Sequence, residues 1–188
     1  MVRPIVIFGD PVLRAKCKPV SEVTDEVRTL AKDMIETMVD AEGVGLAAPQ
    51  VGVTLQLAVV DVSHDPECVS YLRVDGRDVT MADIMPLVFI NPKLELVDPK
   101  EAEQEGCLSF PELRAMITRP TEVKATLTDL DGKTFVVETD GLLSRAIQHE
   151  TDHLFGRLFI DRMTAATKVS LKRKIKRIRV VRGPSRLC

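Results

Sequence analysis

Residues 148–156 read Gln148-His149-Glu150-Thr151-Asp152-His153-Leu154-Phe155-Gly156 and hold two of the chain's three histidines. On an α-helix a four-residue spacing returns to nearly the same face, about 6 Å further along the axis, so both imidazoles can reach one metal ion. Glu150 then lies beside that ion, where a carboxylate can take the proton of an activated water, as in the H-E-x-x-H arrangement. The flanks predict a helix. Asp140 stands where a cap is needed, Leu142, Leu143, Ala146 and Ile147 form an apolar stripe leading to the histidines, and Gly156 suits a left-handed stop. The bland alternative is a pair of satisfied core histidines, which the intervening Glu150 at this spacing disfavours.

A hydrolytic metal site usually has three protein ligands and one open position. No histidine follows His153, and Thr164–Cys188 has no acidic residue, so a third ligand is sought upstream. Glu105-Gly106-Cys107-Leu108-Ser109-Phe110-Pro111 offers a thiol in a Gly/Pro-punctuated segment where the backbone is expected to be irregular. Alone, Cys107 reads equally well as a small buried thiol. A further segment, Gly43-Val44-Gly45-Leu46-Ala47-Ala48-Pro49-Gln50, is small and apolar around two glycines and ends in an amide with two donor hydrogens.

In this order the three segments, G-V-G-L-A-A-P-Q, E-G-C-L-S-F-P and Q-H-E-T-D-H-L-F-G, resemble the signature motifs of the peptide deformylase family. Asp10-Pro11, Leu13-Arg14 and Pro19-Val20 are similar to that family's opening, so the likeness runs through Asp161. The resemblance implies removal of the N-formyl group from the formyl-methionine of nascent peptides. It makes Cys107, His149 and His153 the metal ligands, Glu150 the general acid/base, and Gln50 with the backbone N–H of Leu108 the oxyanion donors. It assigns Val44, Gly45, Gly106, Leu142 and Ala146 to substrate binding. It also implies Fe²⁺ as the physiological ion, with Zn²⁺, Ni²⁺ or Co²⁺ compatible with one thiolate and two imidazoles.

Two features depart from the simplest family pattern. Ser63–Pro86 is a long connection, expected to be either a flap over the active site or a surface insertion. Glu103 and Arg145 align near the methionine pocket, where apolar residues are expected.

Composition fits one catalytic domain. At 188 residues with 45% apolar content, the chain is long enough to bury roughly 70% of its unfolded surface. Six Phe, one Tyr and no Trp leave few base-stacking platforms, which argues against a single-stranded nucleic-acid module. Cys17, Cys68, Cys107 and Cys188 show no close pairing, and the N-terminus has no signal-like apolar core. The expectation is a reduced cytoplasmic protein of bacterial type without a membrane span; oligomeric state is not legible.

Periodicity predicts a helix capped by Thr24, with Val27, Leu30, Ala31, Met34 and Met38 on one face and a break at Gly43. Leu55–Val62 and Leu87–Asn91 read as buried strands. Val123, Ala125 and Leu127 alternate with polar residues, and the pattern resumes after Asp131-Gly132 at Phe135 and Val137, a hairpin signal. The order favours an α+β fold, largely antiparallel strands packed around a central metal-binding helix, with an N-terminal and a C-terminal helix.

Residues 1–163 read as the catalytic domain and 164–188 as a basic helical tail of the same domain. The tail carries nine Lys/Arg and no acid, leaving the remainder at −11. Leu171, Ile175 and Ile178 can dock one face, while Lys172, Arg173, Lys174, Lys176, Arg177 and Arg179 mostly face water. Such a face is either merely solvated or meets an anionic partner, for which ribosomal RNA is the natural candidate given the resemblance. Two other classes stay open here. A general H-E-x-x-H metalloprotease would carry its third ligand downstream, and a zinc-stabilised binding module would need a fourth ligand, for which His64 is a poor candidate.

Overall fold

Leu57-Ala58-Val59-Val60 is apolar at every position because both faces of this strand are covered. Leu57 and Val59 pack under the first helix with Leu30, Met34 and Met38, whereas Ala58 and Val60 face Ile147, Leu143 and Leu154 of the third. A half-buried strand would alternate; one buried on both sides reads as a continuous run. The computed structural model describes residues 1–65 and 68–181, with side chains described through 178.

The helices are α1 (Asp25–Asp40), α2 (Met81–Ile84), α3 (Gly141–Leu154) and α4 (Ala165–Val181). The strands are β1 (Gly45–Ala47), β2 (Leu57–Val60), β3 (Leu72–Val74), β4 (Arg77–Asp78), β5 (Leu87–Gly106), β6 (Arg114–Thr128) and β7 (Thr134–Thr139). They form one sheet, ordered β1-β2-β5-β6-β7-β3-β4, in which every pair is antiparallel. With α3 packed against β1, β2 and β6, the expected α+β arrangement around a central helix is the one observed.

Several local expectations need correction. The strand expected to end at Asn91 continues to Gly106, with register shifts at Ile90/Lys93 and Val97/Lys100. Its second half is mostly exposed, so it lacks the apolar run that marks the first. Thr24 and Asp140 occupy the N-cap positions of α1 and α3, but neither side chain caps its helix. Asp140 instead accepts from the backbone N–H of Ser70 at 2.7 Å. The chain leaves α1 through Glu42 at φ 52°, and Gly156 is left-handed at φ 71° as expected of a helix stop.

The 63–86 connection forms β3, β4 and α2 at the far edge of the sheet, where β3 pairs with β7. None of its described residues lines the cleft beside α3, so the flap expectation gives way to a sheet extension. Leu171, Ile175 and Ile178 of α4 dock on the cluster around Phe110, Phe159 and Ile160. Lys172, Arg173, Lys174, Lys176 and Arg177 are exposed. The side chain of Arg179, and Arg182, Arg186 and Cys188, lie outside the described residues. No described helix is long and apolar enough to cross a membrane.

Candidate metal centre

Helix α3 runs beneath the sheet and presents His149 and His153 one turn apart, both buried, with ring centroids 5.1 Å apart. Cys107 is the first residue beyond β5, in the loop that turns the chain into β6. The ligand-capable atoms of Cys107, His149 and His153 lie within 4.8 Å of one another, with Cys107 Sγ 3.3 Å from His153 Nε2. A soft thiolate and two imidazoles converging so closely fit a transition-metal ion with coordination positions left for other ligands.

Glu150 sits against the glycine loop. It is 4% exposed, and its Oε2 has no hydrogen-bond partner among the described residues. A carboxylate in that position resists ionisation: burial pushes its pKa up to about 7, against the pull of His149 and Arg119. At that value the carboxyl can both take and give a proton near neutral pH. Gly45 makes the position possible, because a Cβ there would lie 2.5 Å from Glu150 Oε1. Gly43 similarly admits Leu108, whose Cδ1 would be 2.7 Å from an added Cβ.

Gln50 is held from one end. Its Oε1 accepts the Ala47 N–H at 2.9 Å, which directs Nε2 toward Ser109 Oγ at 3.2 Å and Cys107 Sγ at 3.6 Å. The amide can therefore present its hydrogens to the centre without flipping.

A buried charge network underlies the ligands. Glu105 accepts from Arg119 at 2.6 and 3.0 Å, from Arg145 at 2.8 Å and pairs with His149 Nδ1 at 3.1 Å. The bond at Nδ1 leaves Nε2 of His149 free for a metal. Burial alone would raise the Glu105 carboxyl, but His149 and Arg119 hold it well below the usual carboxylate range. Arg119 also reaches Asp152 at 2.8 Å, and Arg162 closes on the same carboxylate. Burial, and after it the neighbouring His149, Arg119 and Arg14, pushes the His153 pKa well below its ordinary value.

A cleft of about 620 Å³ opens over the centre. Its lining includes Val44, Gly45, Gln50, Gly106, Cys107, Leu108, Leu142, Ala146, His149 and Glu150, all singled out in the sequence. His153 lies beneath the surface instead, 1% exposed. Arg145 lines the cleft while Glu103 does not; each nitrogen of the Arg145 guanidinium has a partner on β5 or β6. Sequence reading assigned no role to Glu105, Arg119, Asp152 or Ser109. One signal was available: Arg119 falls in phase with the inward-facing Ala115, Ile117, Val123, Ala125 and Leu127 of β6, a charge where the pleat demands an apolar residue.

Residues 2–169 match the family model described as polypeptide deformylase. The chain is 44% identical over 179 residues to a peptide deformylase of Methylacidiphilum infernorum, covering 95% of this chain and 94% of that protein. It is 46% identical over 163 residues to one of Clostridium botulinum, covering 87% and 97%. A crystal structure of peptide deformylase from Ehrlichia chaffeensis superposes with a TM-score of 0.82 at 31% identity, covering both chains completely.

Proposed function

The chain belongs to the polypeptide deformylase family, a metal-dependent hydrolase that removes the N-formyl group from nascent peptides, and on that premise we propose which of its residues perform the reaction. Cys107, His149 and His153 hold one divalent ion; the convergence of their ligand atoms within 4.8 Å is the observation that carries this reading. The proposed physiological ion is Fe²⁺, with Zn²⁺, Ni²⁺ and Co²⁺ also suited to the donor set. When bound, the ion acts as a Lewis acid that lowers the pKa of water toward ~7, so that hydroxide is available at neutral pH.

The remaining chemistry belongs to the side chains. Glu150 takes the water proton as the oxygen attacks the formyl carbon, then gives it to the departing amine as the C–N bond breaks, leaving formate and a free α-amino group. Gln50 Nε2 and the backbone N–H of Leu108 donate to the carbonyl oxygen as negative charge builds there. Each such donor, fixed before reaction, is worth on the order of 3 kcal/mol. Val44, Leu142 and Ala146 give the methionine side chain an apolar wall, while Gly45 and Gly106 let the substrate backbone approach closely.

Residues 1–163 form the catalytic unit, and the docking of Leu171, Ile175 and Ile178 supports counting the tail as part of the same domain. The exposed cations of α4 suit the phosphates of ribosomal RNA, and we place the enzyme in the cytoplasm, where nascent chains emerge. No observation favours an endopeptidase.

The test is formate release from a formyl-Met peptide, with an acetyl-Met control, on anaerobically purified protein whose metal content is measured in parallel. Formyl should be cleaved and acetyl rejected, and Cys107→Ser should lose its metal. Normal metal content and rate in Cys107→Ser would remove Cys107 from the ligand set.

A further inference from the structure

The proposed ligands come from two separate places, Cys107 from the loop just beyond β5 and the histidines from α3, so something must fix the spacing between them. Arg145 lies on α3 one turn before His149. Its Nη1 donates to Glu105 Oε1 at 2.8 Å and to the Ile117 carbonyl at 3.0 Å, and its Nη2 donates to the Glu101 carbonyl at 3.2 Å. Its Nε meets Glu103 at 3.0 Å. All three guanidinium nitrogens are therefore committed to the β5–β6 hairpin.

Glu105 stands two residues before Cys107, and its other oxygen pairs with His149. One turn of α3 thus grips both oxygens of a single carboxylate, Arg145 on one and His149 on the other. Arg119 holds the same carboxylate from β6. An apolar residue at 145 would serve a methionine pocket better, yet it would remove the hydrogen bonds to the Ile117 and Glu101 carbonyls and one of the two contacts that α3 makes to Glu105.

We infer that Arg145 is a positioning residue for the metal centre: by clamping Glu105, Glu101 and Ile117 to α3 it sets the distance between Cys107 and the two histidines. This rests on the reading that Cys107, His149 and His153 bind the ion. Lysine cannot replace it, because a single ammonium cannot span acceptors on both strands.

The deciding experiment loads the protein with cobalt(II) anaerobically and follows both the thiolate–cobalt absorption and the loss of cobalt to excess chelator. Arg145→Lys keeps the charge and should keep the fold, with an apoprotein melting temperature near wild type. It should release cobalt about tenfold faster, with a shifted thiolate–cobalt band. Arg145→Leu should behave likewise, and if it fails to fold the lysine variant decides alone. Glu103→Gln, which removes only the exposed rim partner, should match wild type. Cobalt release from Arg145→Lys within threefold of wild type, or faster only in step with a fall in apoprotein stability, overturns the inference. Failure of wild type to hold one cobalt would instead refute the ligand reading beneath it.

Discussion

Gly45 and Glu150 occupy one another's space: the α-carbon of the glycine faces the carboxylate so closely that a Cβ would come within 2.9 Å of Glu150 Cγ and Cδ, and closer still to Oε1. The glycine is therefore a spatial requirement of the Glu150 carboxylate. Its φ lies outside the left-handed region, so a side chain there meets no backbone strain.

Gly45→Ala should consequently leave the fold intact, since strand backbone accepts alanine readily. Glu150 would have to move by about 1 Å, and a displacement of that size costs on the order of 10²-fold in kcat. Steady-state kinetics on a formyl-Met peptide, with thermal melting as the control, check this; wild-type kcat would mean that Glu150 yields harmlessly.

Glu150→Gln preserves shape while removing the exchangeable proton. Metal content should stay at wild-type level and kcat should fall about 10²–10⁴-fold. Metal analysis beside single-turnover formate release separates the two effects, and loss of metal without an independent defect in turnover would count against the assigned role.

The tail separates a docking face from a charged one. Ile175→Ala opens a partly buried site on the Phe110–Phe159 cluster and should cost about 1–2 kcal/mol in urea melts, below the value for a fully buried position. Reversing Lys172, Lys174 and Lys176 to Glu should leave stability and peptide turnover near wild type. That variant should bind ribosomes more weakly and with a shallower salt dependence, whereas unchanged binding across a salt titration would mark the face as merely solvated.

Asp161 ties the N-terminal segment to the chain beyond α3. It pairs with Arg14 and accepts the Leu158 N–H at 2.9 Å. Burial raises its carboxyl, but the Arg14 hydrogen bond, the Leu158 N–H and the charges of Arg14 and Lys168 together outweigh this and hold it below the usual range. A depressed folded pKa stabilises above the unfolded value near ~3.9 and loses its effect as pH falls through the folded one. Asp161→Asn should cost about 0.5–1 kcal/mol at pH 7, and the gap to wild type should close progressively below about pH 4. A gap that persists at pH 3 would point to lost packing instead of lost charge.

The helical part of the candidate site was legible in the sequence because it is written locally, whereas Cys107, Gln50 and Leu108 came in only through the resemblance of three separate segments. Helical spacing puts His149 and His153 on one face, with Glu150 between them, and the glycines around Val44 announce close approach. The apolar stripes of α1 and α4, the two-sided burial of β2 and the turn at Gly132 follow from periodicity and conformational preference. The exposed half of β5 carried no such pattern, because its pairing with β6 is made by backbone groups that composition does not record. Only the tertiary structure decided what stands behind the ligands. Glu105 on β5, Arg119 on β6 and the pair Arg145 and Asp152 on α3 come from three separate elements, and each alone is a charged residue that ordinarily faces water. Their burial is tolerable only because folding brings the opposite charges within hydrogen-bonding distance of one another, a condition that exists in three dimensions and in no local stretch of sequence.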